Sequence, residues 1–163
     1  MLKLDIHNIN KSSAYNVVEA GAQKYEFITR TGVAYLVGFM EDSMVEDYES
    51  YQFYITNETG QQSPNDMELW QTVFAIIEEF FRANQFVMVY WCDTSDGNEA
   101  LRAKLFSRKF NLYVHRDSYV FKTIETQTED IPYYAAIIFR KDHPNADEIS
   151  QKVDFVVAEL KKK

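Results

Sequence analysis

Seven apolar residues in a row, FVMVYWC from Phe86 to Cys92, constrain the fold of this chain more than any other stretch. The run is far shorter than the roughly 20 residues that a membrane span requires. It lacks polar alternation, so it reads as a strand covered on both faces. Such a strand needs helices to cover it, and helical periodicity flanks it on both sides. Upstream, Leu69, Trp70, Val73, Phe74, Ile76, Ile77, Phe80 and Phe81 form a broad apolar face. Glu68, Gln71, Thr72, Glu79 and Arg82 form the opposite, wet face. The predicted start is Ser63-Pro64-Asn65-Asp66, with Ser63 as cap and Pro64 in the first turn, and the predicted end is near Asn84. Downstream, a second helix is predicted from about Gly97 to Phe110, with Leu101, Leu105, Phe106 and Phe110 turned inward.

The remaining elements follow from alternation. Aromatic residues make up 15% of the chain, and tyrosines interleaved with apolar residues suit half-buried sheets. Tyr25, Phe27 and Thr29 alternate on one arm of a predicted hairpin, and Val33, Tyr35, Val37 and Phe39 on the other. Gly32 lies in the turn and supplies the positive φ that a short loop needs. A third strand is read at 51–56. Two more are read at 118–126 and 133–140, joined by QTEDIP, and a last helix at 145–160 carries Ile149, Val153, Val156, Val157 and Leu160. Residues 1–14 read as a tail or an edge strand, and 15–163 as a single domain. The expected fold class is α+β in the order β-β-β-α-β-α-β-β-α, a mostly antiparallel mixed sheet with helices packed on it.

Charge is distributed unevenly. The net charge is −8, and residues 31–81 carry ten acids and neither Lys nor Arg. Such a segment repels nucleic-acid phosphates and favours a basic partner. The expectation is therefore a protein partner or self-association, with no nucleic acid and no membrane. A single cysteine forms no internal disulfide and fits a reducing compartment, so a cytoplasmic location is expected.

The corner after the apolar run, DTSDG from Asp93 to Gly97, is the most chemically suggestive turn. Asp96 with Glu99 makes a D-x-x-E variant of the capping box, and Gly97 eases the strand-to-helix turn. The turn has too few oxygen ligands at the defined spacing of a calcium loop. The three histidines, His7, His115 and His143, are in no metal-ligand spacing, so no metal and no cofactor are expected. The helix that follows is basic: Arg102, Lys104, Arg108, Lys109 and Arg116 oppose Glu99 alone between residues 97 and 116. Asp93, Asp96, Arg102 and Arg108 are the candidate binding or bracing site. Arg102 either pairs with an aspartate of the turn or binds an anion together with the free amides of the helix start.

Three blocks carry a resemblance. They are the aromatic hairpin YEFITRTGVAY, the turn and helix YWCDTSDGNEALRAKLF, and the strand and helix start AAIIFRKDHPNADEI. Together they resemble a family of small bacterial proteins classed only as a domain of unknown function, over roughly residues 25–160. Asn98 departs from the arginine of relatives, and SRKF from an ending that often bears tryptophan. The resemblance implies the fold order and assigns no activity. The expected function is a non-enzymatic protein-interaction or regulatory domain that uses the acidic segment 31–81 and the basic helix 97–116. The alternative is an acyltransferase-like enzyme or enzyme relic. In that reading NETGQQSPND is a degenerate cofactor loop, with one glycine, flanking acids and a proline that removes an amide.

Overall fold

The computed structural model describes residues 1, 3–61, 66–92, 99–128 and 131–162. Its elements are α1 (Ile6–Ser12), β1 (Val18–Gly21), β2 (Lys24–Ile28), β3 (Ala34–Asp42), β4 (Ser50–Asn57), α2 (Met67–Ala83), β5 (Val87–Trp91), α3 (Glu99–Asn111), β6 (Tyr119–Thr128), β7 (Ile131–Arg140) and α4 (Ala146–Lys161). The chain is α+β, with mostly antiparallel strands, and from β2 onward its order is the one read from the sequence. It divides into two compact units, Met1–Met40 with Phe53–Gln85, and Glu41–Gln52 with Phe86–Lys163.

In the first unit the strands run in the order β1-β2-β3-β4. The predicted hairpin is β2 and β3, with Phe27 opposite Tyr35 and Ile28 opposite Ala34. Its turn closes with Thr29 N–H donating to the Val33 carbonyl at 2.9 Å, and Gly32 takes a φ of +83°. Phe39 stacks on Phe80 of α2 with ring centroids 4.7 Å apart. The cap of α2 is Asp66, whose carboxylate accepts from the Glu68 and Leu69 amides. Ser63 to Asn65, predicted to start this helix, lie outside the described residues.

The N-terminus corrects the sequence reading. Residues 1–14 were expected as a tail or edge strand, and they carry helix α1, capped by Asp5. Leu4 and Ile9 are fully buried. The segment is held by polar residues of α2 that the helical period assigns to the wet face. The Asp5 N–H donates to Glu79 Oε1 at 3.3 Å, the Tyr15 N–H to Thr72 Oγ1 at 3.0 Å, and Gln71 Nε2 to the Ser12 carbonyl at 3.0 Å. Thr72 and Glu79 are buried as a result. Buried polar groups persist where they are bonded, and Glu79 is also forked by Arg82.

In the second unit the strands run β5-β7-β6. Val87 to Tyr90 are all buried, as the continuous apolar run requires. One sheet face carries Val87, Val89, Ile137 and Phe139, which pack with Ile149 and Val153 of α4. The other face is under α3, where Phe106 and Phe110 are buried. Leu101, predicted to point inward, is 66% exposed. Strands β6 and β7 extend beyond the predicted limits, with register continuing to Thr128 opposite Ile131. QTEDIP is therefore mostly strand.

Candidate functional site

Of the predicted site residues, Asp93 and Asp96 lie outside the described residues, as does the rest of the turn to Asn98. Arg102 and Arg108 lie on α3, six residues apart and so about 120° apart around the helix. They do not converge on one point. Arg102 is partly buried, and its charge reaches the Tyr90 hydroxyl. Arg108 is exposed on the rim of a cavity. Arg116 is a structural residue. Its guanidinium lies 5.4 Å from the Phe110 ring centre and donates to the Asn111 side chain and the Tyr119 carbonyl.

The cavity follows from strand register. On the α3 side of the sheet, Met88, Ile138 and Phe121 stand in one row. Phe121 meets Phe110 with centroids 4.6 Å apart, and that row is filled. The next row is Tyr90, Ala136 and Thr123. Beyond it, Glu125 stands opposite Tyr134, and the Cys92 N–H donates to the Tyr134 carbonyl at 3.0 Å. Small side chains now face each other: Ala136 and Thr123 on the sheet, Ala103 and Ser107 on the helix. The space they leave is about 790 Å³ and is lined by all of these except the filled row. That volume suits a small-molecule site, which typically spans about 300–1,000 Å³.

Polar groups around the cavity are few. Lys104 and Arg108, one helical turn apart, stand on the α3 rim, and Glu125 stands across from them on β6. Among the described residues, neither Lys104 nor Arg108 forms an ion pair. Burial raises the Tyr90 hydroxyl well above its ordinary pKa, with a smaller opposing pull from Arg102. Cys92, just past β5, is buried and in no disulfide. No histidine lines the described cavity, so a nucleophile–base pair is not assembled there. The arrangement suits retention of an apolar body with a charged end. Sequence reasoning counted Lys104 among the basic residues of this helix but left it out of the site, and it missed Ser107 and Tyr134, whose meeting depends on register.

The acidic segment is divided between the units: Glu41, Asp42, Glu46, Asp47 and Glu49 belong to the second, and the other five acids to the first. At least five of the ten are engaged internally among the described residues. Asp66 caps α2, Glu68 pairs with Arg30, Glu79 with Arg82 and Asp47 with Lys152, and Asp42 accepts from the Met44 amide. In the loop after β4, the amides of Thr59 and Gly60 both donate to Asn57 Oδ1 at 3.2 Å. Among the described residues, no three His, Cys, Asp or Glu side chains gather to hold a metal, and no helix is long and apolar enough to cross a membrane.

No curated protein matches the chain. Residues 65–155 match a family of unknown function, DUF6169, and that span includes every residue lining the described cavity. The hairpin block lies outside it. The match covers more than half of the sequence, and the chain belongs to this family of unknown function.

Proposed function

We propose that this chain is a non-enzymatic interaction domain whose working face is α3 of the second unit. The face docks an acidic, partly apolar segment of a partner protein. The observation that carries this is a single stripe on α3. Leu101, Lys104 and Arg108 of α3 and Leu112 just past its end follow at helical spacing, all exposed, and the two cations have no ion-pair partner among the described residues. Exposed apolar residues around unpaired cations fit an acidic partner with apolar anchors. The acidic segment 31–81 is the weaker half of the reading, because at least half of its carboxylates are bonded internally.

The acyltransferase-like alternative is less well supported. A pyrophosphate cradle needs free backbone amides, and those of Thr59 and Gly60 already serve Asn57.

Fluorescence anisotropy with a labelled peptide of alternating Glu and Leu tests the proposal. The expected result is salt-sensitive binding that weakens roughly tenfold or more in Lys104→Glu/Arg108→Glu, with thermal stability unchanged. Equal binding by the folded variant would refute it.

A further inference from the structure

We propose that the cavity beneath α3 is a binding site for a fatty carboxylate, its chain lying over Ala136 and Tyr134 and its head group at Lys104 and Arg108. The proposal shares those two cations with the docking face but does not depend on it, because ligand binding is read on the protein alone.

Three observations converge. The first is shape. The space of about 790 Å³ arises where Ala103 and Ser107 oppose Ala136 and Thr123, whereas the neighbouring row is packed by aromatic rings. A half-open cleft of this size between a helix and a sheet is the usual form of a small-molecule site. The second is lining. Tyr90, Ala136, Phe106 and Leu112 present mainly apolar surface, which suits a hydrocarbon chain. The third is charge. Lys104 and Arg108 stand at one rim, and Glu125 is the carboxylate across from them. Among the described residues, two cations against one anion select an anionic head on the helix side, where an arginine fork holds a carboxylate. A fatty amine would have to seat at Glu125 with the two cations repelling it.

Isothermal titration calorimetry of the full chain with decanoate and with decylamine, both kept below micelle formation, tests the assignment. Decanoate is expected to bind, and decylamine at least about tenfold more weakly. Arg108→Glu is expected to abolish that preference. Ala103→Phe/Ser107→Phe, which fills the space, is expected to abolish decanoate binding. In the wild-type protein, nuclear Overhauser contacts are expected between the decanoate methylenes and the ring protons of Tyr90 and Tyr134. These contacts decide the matter if the filled variant does not fold. No binding of decanoate, tighter binding of decylamine, unchanged binding by the folded filled variant, or contacts only to other parts of the chain would each overturn the proposal.

Discussion

At the scale of single residues, two positions show how packing overrides pattern. Gly38 lies within β3, where glycine ordinarily weakens a strand. A Cβ built there would meet the Tyr54 ring at 2.2 Å, so the ring lies directly on the glycine and covers it. Gly38→Ala must displace Tyr54, and it is expected to destabilise by about 1–3 kcal/mol, more than the strand gains from replacing glycine. Tyr54→Leu in the same chain should recover most of that loss. Midpoints of urea unfolding for the single and double variants measure both effects. Nothing in the sequence near Gly38 indicates this contact, because Tyr54 is brought to it by strand pairing. Glu79 is the second case. Its place on a helical wheel says solvent, yet it is buried because Arg82 and the Asp5 amide satisfy it.

At the scale of elements, legibility follows the strength of the local pattern. β5 was plain from its unbroken apolar run, and the hairpin from alternation about Gly32. α1 was not, because its seven residues, IHNINKS, bury only Ile9 along the helix and hold their place through polar contacts to α2. Elements are also fastened by contacts that carry a pH signature. The acidic segment 41–49 is tied to α4 through Asp47 with Lys152 at 2.8 Å, and through Lys152 over the Tyr48 ring. The hydrogen bond between Tyr48 and Glu148 raises the Tyr48 hydroxyl to about 12, from an ordinary 10.0. Because the folded value is the higher one, the protonated phenol favours the folded state. Its contribution is complete below pH 10.0 and is lost as pH rises toward about 12. Unfolding free energies by chemical denaturation across that window should fall less steeply for Tyr48→Phe than for the wild type. Parallel curves would contradict the contact.

At the scale of the whole molecule, the fold class and order were open to reading, and the proposed working face only in part. The basic character of α3 was evident, and Arg108 was chosen from it. Arg116 turned out to be committed to Phe110 and Asn111, and Lys104 was passed over. The cavity was beyond reach of the sequence, since it is made by small residues whose opposition depends on strand register and helix placement. The net charge of −8 also drew attention to the ten acids of 31–81, at least half of which are engaged inside the units. The central proposal is that recognition occurs at α3. Amide chemical-shift mapping with the Glu/Leu peptide tests it most directly. The prediction is that shifts concentrate in residues 101–112 and in the facing positions 123–125 of β6. Shifts confined to residues 41–49 or to the first unit, with α3 unmoved, would contradict it.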